Sequence, residues 1–114
     1  MIISSRNPFS KEEIEKLKEE FDVYIKTVID INERICSAGA NRHFESEKEL
    51  LEMGSKQVNL WGGGIDLETK LIDSNSFINI RPSQKNTSNE IQDGAIRKKF
   101  EDLMKYFFNV IYEQ

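Results

Sequence analysis

The sequence predicts an α+β fold: one small domain in which an antiparallel sheet of about four to five strands packs against two or three helices. Three observations carry this reading. Helical three-and-four spacing and period-two alternation both occur and stay in separate segments. Turn signals fall between alternating stretches at hairpin distances. The 114 residues contain no linker, internal repeat or low-complexity tract, and a chain of that length forms one domain (residues 1–114) burying roughly two-thirds of its unfolded surface.

Ile2-Ile3 offers a possible first strand, and Pro8 ends whatever precedes it. Ser10 and Glu13 are spaced as a capping box, with Phe9 and Ile14 placed as the hydrophobic staple. Ile14, Leu17 and Phe21 then repeat at helical spacing, predicting an amphipathic helix over about 11–21. From Val23 the pattern changes to alternation. Val23, Ile25, Thr27, Ile29 and Ile31 point one way and Tyr24, Lys26, Val28 and Asp30 the other, which predicts a half-buried strand. Asn32-Glu33 interrupts it, so a hairpin turn is expected near 32–34, with Ile35, Cys36 and Ala38 on the returning arm.

Ser46 and Glu49 form a second capping-box pattern ahead of Leu50, Leu51 and Met53, and Gly54 stands where a left-handed C-terminal cap belongs. A second hairpin is expected from about 58–67 and 71–80, joined at Glu68-Thr69-Lys70. Gly62-Gly63-Gly64 inside its first arm predicts a bulge or a close approach by another group. Pro82 to Gln92 has no period and reads as a loop. Asp93 caps a final helix in which Ile96, Phe100, Leu103, Met104, Phe107 and Ile111 repeat to the end of the chain. Projected at helical pitch, its second half spreads apolar residues over an arc of about 240°, more than one sheet face covers. The surplus around Tyr106, Phe108 and Tyr112 predicts a homodimer contact, with cover by the N-terminal segment as the competing expectation.

Composition narrows the function classes. Sixteen Lys and Arg against twenty Asp and Glu leave a net charge of −4, which argues against nucleic acid as a partner drawn in by long-range attraction. The single Cys36 excludes an internal disulfide and fits a reducing cytoplasm. No signal peptide pattern or membrane-spanning apolar run is present, so a cytoplasmic, membrane-free chain is expected. His43-Phe44-Glu45 mimics part of a zinc deaminase motif but lacks the later cysteine pair. The Ser46 cap places Glu47 in a helix, which argues against His43, Glu45 and Glu47 sharing a metal; no metal and no cofactor are expected. Gly54-Ser55-Lys56 lacks the spacing of a P-loop, and the Gly62 run does not open a helix as a dinucleotide fingerprint must.

The strings Leu50-Leu51-Glu52, Gly54-Ser55-Lys56-Gln57, Leu60-Trp61-Gly62 and Ile78-Asn79-Ile80-Arg81-Pro82-Ser83-Gln84, with His43, Glu45, Glu47 and Asn86, resemble a family of short prokaryotic proteins classed as a domain of unknown function. The resemblance covers nearly the whole chain and implies a grouping without a mechanism. The chain departs from the family pattern at Gly63-Gly64, where an Asn and an aliphatic residue are expected, and at Glu45, where Asp is expected.

Three polar segments sit where regular elements begin or end, and their convergence at one sheet rim would suit a small anionic or amide-bearing ligand. The candidate ligand-binding residues are Arg42, Lys56, Gln57, Trp61, Arg81, Ser83, Gln84 and Asn86. His43, with Glu45 or Glu47, is the candidate proton-transfer group. The leading expectation is therefore an uncharacterised homo-oligomeric binding module. The alternatives are a small hydrolase or nuclease using His43 with Arg81 and Lys56, and a toxin–antitoxin partner. Discrimination rests on His43: a hydrogen bond to a carboxylate in a pocket favours chemistry, and burial favours binding or structure.

Overall fold

The computed structural model describes residues 1–113. Its elements are β1 (Ile3–Ser5), α1 (Lys11–Glu20), β2 (Tyr24–Asp30), β3 (Ile35–Ala38), α2 (His43–Glu52), β4 (Leu60–Asp66), β5 (Ile72–Asp73), α3 (Gly94–Phe107) and α4 (Asn109–Tyr112). The five strands form one sheet in the order β1-β3-β2-β4-β5, with every pairing antiparallel. This is the α+β class read from the sequence. No helix among the described residues is long and apolar enough to cross a membrane.

Helices cover both faces of the sheet. Ile14 and Leu17 of α1 and Phe100, Leu103, Met104 and Phe107 of α3 pack with Ile25, Ile29, Cys36, Trp61 and Ile65 in the main core. Leu50 of α2 packs with Val28, Ile35 and Leu60 on the opposite face. The alternation of β2 is therefore real, but the expectation of a half-buried strand is corrected: both faces are covered, and Thr27, Val28 and Asp30 are as buried as Ile29. Polar residues at these positions are tolerated because they find partners. Asp30 accepts from the N–H groups of Asn32 and Glu33 and from the Ser55 hydroxyl, which also closes the predicted turn at 32–34. Burial raises the Cys36 thiol well above its ordinary pKa, as a core filler requires.

The capping box at Ser10 forms as read. At α2 the start is corrected. Arg42, not Ser46, is the N-cap, and the Glu45 carboxylate accepts from its N–H at 2.9 Å. Ser46 lies a turn inside, buried with its hydroxyl unpartnered. The helix ends as predicted on Gly54 at φ 104°, with Gly54 N–H bonded to Leu51 and Ser55 N–H to Leu50, a Schellman arrangement.

The Gly62–Gly64 run makes no bulge. It pairs in regular register with Val28, Thr27 and Lys26 of β2, and the second expectation, close approach, is what holds. A Cβ on Gly62 would stand 2.7 Å from Ser76 Cβ and 3.2 Å from the His43 ring. One on Gly63 would collide with the Asp73 carbonyl and Phe100, and one on Gly64 with the Tyr24 ring. Side chains and backbone lie directly on this stretch of sheet from both sides.

The expected strand over 71–80 contracts to Ile72–Asp73. Beyond it Asp73 accepts from the Asn75 N–H, turning the chain, and a 3-10 turn forms at Phe77–Asn79. The 82–92 segment is likewise more ordered than a loop, with a 3-10 turn at Pro82–Gln84 and a bridge between Arg81 and Asn86. The final helix breaks at Phe108, so the apolar arc drawn for a continuous helix overstates the uncovered surface. Phe108 is fully buried, its ring 5.1 Å from that of Phe9, which corrects its assignment to a dimer contact. Tyr106 and Tyr112 stay partly exposed, and both have internal partners: Arg34 lies over the Tyr106 ring and the Tyr112 hydroxyl donates to the Lys70 carbonyl. The reach of the helix to Gln114 falls outside the described residues.

Candidate functional site

Strand β4 has a strand neighbour on its outer side only at Gly64 and Ile65. Further back, along Leu60 to Gly62, side chains from the Ile78–Gln84 string take the place of that neighbour. Asn79, fully buried, accepts from the Gly62 N–H at 2.8 Å and donates to the Gly62 carbonyl at 3.0 Å, as a strand would. Its amide also donates to the carbonyls of Ser74 and Asn89. Arg81 donates to the carbonyls of Leu60, Gln57 and Ile78 and to the Gln84 side chain, while its guanidinium lies 4.4 Å from the centre of the Trp61 ring. Burial lowers the Arg81 pKa, and the charge of Glu47 acts in the other direction.

The structure thus places Arg81 against the Trp61 ring, the Gln84 side chain and the Gln57 carbonyl, as internal scaffolding and not as one ligand cleft. Arg81 and Trp61 are buried. Gln84 spends its amide on the Val58 carbonyl. Asn86, also buried, donates to the carbonyls of Asn79, Ser88 and Glu90 and accepts from the Gln92 N–H, holding the 82–92 segment against the turn. Ser83 is exposed beside them. Lys56 is separate, lining a polar hollow of about 210 Å³ with Asp30, Ser55 and Asn59.

A larger cleft lies further along the same sheet face. It has a volume of about 410 Å³ and is lined by Lys26, Arg42, His43, Phe44, Ser76, Phe77 and Ile78. A second hollow of about 220 Å³ shares Lys26, His43, Ser76 and Phe77 and continues to Asn75 and Asn89. Lys26 comes from β2, Arg42 to Phe44 from the start of α2, and Ser76 to Ile78 from the turn pinned by Asn79. Glycine makes this convergence possible, because a side chain at Gly62 would occupy the space of both His43 and Ser76.

No carboxylate lines either hollow. The Lys26 ammonium donates to the Asn41 carbonyl at 2.8 Å, and among the described residues neither Lys26 nor Arg42 joins a salt bridge. The leading N–H groups of α2, on His43 and Phe44, have no acceptor among the described residues. Glu45 is occupied at the cap, and Glu47 has its Oε2 buried and unpartnered away from the cleft lining.

His43 Nε2 lies 2.8 Å from the Gly63 carbonyl. A carbonyl only accepts, so Nε2 carries the proton and Nδ1 is the basic nitrogen. Burial is the main cause that lowers the His43 pKa below its ordinary 6.5, with Lys26 acting the same way and the Gly63 bond and Asp73 acting against it. The sign for stability follows. Between the two values the unfolded chain binds the proton and the folded chain does not, so the His43 contribution is complete above about pH 6.5 and declines as pH falls below it. Thermal melts from about pH 8 down to pH 5 will show this decline. His43→Gln keeps a donor for Gly63 and will flatten the slope; an unchanged slope in that variant refutes the assignment.

Arg42 and Lys26 are legible in the sequence as cations and His43 as a titratable group, but the alternation reads Lys26 only as a strand residue, and Phe44, Phe77, Asn75 and Asn89 carry no sequence signal as lining residues. The available signal was the Gly62–Gly64 run, since residues that lie on a side-chain-free strip are the ones to seek.

Comparison with curated proteins and with solved structures gave no match. A family model does match, over residues 1–107 of the 114, and it spans every strand and both walls of the cleft; the chain belongs to the family described as Protein of unknown function (DUF5674).

Proposed function

We propose that this protein is a binding module whose cleft over the start of α2 takes a small anion. The observation that carries this reading is the lining itself: Lys26, Arg42 and His43 converge on one cleft of about 410 Å³ without a carboxylate among them. Unpaired cations beside open helix N–H groups favour an anionic ligand group by Coulomb attraction and by hydrogen bonding. The continuation toward Asn75 and Asn89 adds amide groups suited to an amide-bearing or hydroxyl-bearing part of the same ligand. His43 bonds a carbonyl and no carboxylate, which supports binding over proton transfer, and nothing in the reading requires a second copy of the chain.

The test is a titration of the full chain with inorganic phosphate, followed by backbone amide shifts in NMR. Saturable shifts at Arg42, His43 and Phe44 are expected, with a dissociation constant on the order of 1 mM, about −4 kcal/mol. The double variant K26A/R42A will weaken binding at least about tenfold, since both charges face the anion. Absence of saturable shifts at these residues refutes the proposal.

A further inference from the structure

The cleft carries more apolar surface than an inorganic anion uses. Phe77 is 81% exposed and Phe44 is 53% exposed, and both line the cleft with Ile78. They form no aromatic pair with each other or with any other described ring. Each is held outward by local structure. Phe77 opens a 3-10 turn capped by Ser76 and fixed by the buried Asn79 two residues later, so it cannot follow Asn79 inward. Phe44 stands in the first turn of α2, which Arg42 and Glu45 cap. Two rings on separate elements thus flank a cationic floor, and the sequence places Phe44 only two residues from Arg42.

Resting on the anion-binding reading, we infer that the ligand is an aryl-bearing anion, its charge at Lys26 and Arg42 and its ring against Phe44 and Phe77. Aromatic side chains bind rings by offset or edge-to-face contact while removing apolar area from water. At about 25 cal/mol per Å², only about 55 Å² of extra apolar burial yields a tenfold gain in affinity. Two exposed phenyl rings supply that area readily.

Three probes separate the charge from the ring: inorganic phosphate, ethyl phosphate and phenyl phosphate, each titrated into the full chain with amide shifts as readout. Phenyl phosphate is expected to bind about tenfold more tightly than ethyl phosphate, and Phe77→Ser, at an exposed position, is expected to remove most of that preference while the melting temperature holds. Equal affinity for the phenyl and ethyl esters, with phosphate still bound at Arg42 and His43, overturns the aryl inference and leaves the anion reading standing. If none of the three shifts the amides of Arg42 and His43, the anion reading falls and the aryl inference falls with it.

Discussion

Asn79→Asp will destabilise the domain by about 3–5 kcal/mol, although the two side chains have nearly the same shape. Asn79 uses its oxygen to accept from Gly62 N–H and its amide to donate to the carbonyls of Gly62, Ser74 and Asn89. A carboxylate keeps the first bond and loses the others. It leaves the carbonyls of Gly62 and Ser74 without donors, while that of Asn89 keeps the Ser76 N–H, and it sets a negative group among them in a fully buried position. An unsatisfied buried polar group costs about 1–3 kcal/mol, so two such losses together with the buried charge reach the stated range. Against a total stability of about 5–15 kcal/mol this is a large fraction. The melting temperature should fall by roughly 15–20 °C. An Asn79→Asp variant that melts within a few degrees of the parent would show that the side chain does not replace a strand at the edge of β4.

The second large effect concerns Arg81, and it separates a structural residue from a ligand group. R81K keeps the charge and most of the stem, yet a lysine ammonium is a point donor and does not span the carbonyls of Gln57, Leu60 and Ile78 together. It also loses the guanidinium contact over the Trp61 ring. A loss of about 2–4 kcal/mol is expected, read as a lowered urea midpoint with unchanged slope. Phosphate binding by the folded fraction should stay as it is, because Arg81 does not line the cleft. The opposite result, full stability with weakened phosphate binding, would return Arg81 to the role of ligand group suggested by its place in the sequence.

Both predictions show where sequence reading reached its limit. Arg81, Asn86 and Gln84 were legible as important polar residues at the ends of elements, and the strings that contain them were legible as a family signature. Local sequence did not say whether their donors face a ligand or the chain's own backbone. That choice depends on the unpaired outer side of β4 at Leu60 to Gly62, which exists only because β5 stops after two residues. The alternation Ile72, Ser74, Ser76, Ile78, Ile80 looks like a strand at period two, but the Asx turn at Asp73 and the inward Asn79 override it with hydrogen bonds formed across the fold.

What the sequence by itself determined is the set of features governed by neighbours along the chain. The capping box at Ser10, the glycine stop at Gly54, the turn after Asp30, the amphipathic period of α1 and α3 and the two-sided alternation of β2 all follow from local spacing. These were enough for the α+β class. Tertiary structure decided the rest. The start of α2 at Arg42 and not Ser46 is set by packing, since Ser46 and Leu50 face the sheet. The burial of Phe108 is set by Phe9, nearly a hundred residues away. The cleft needs Lys26, His43 and Phe77 from three elements to meet over glycines that leave them room. Hydrophobic period reports which face of an element is covered, whereas the partners of a polar side chain depend on contacts distant in sequence, and those the fold alone supplies.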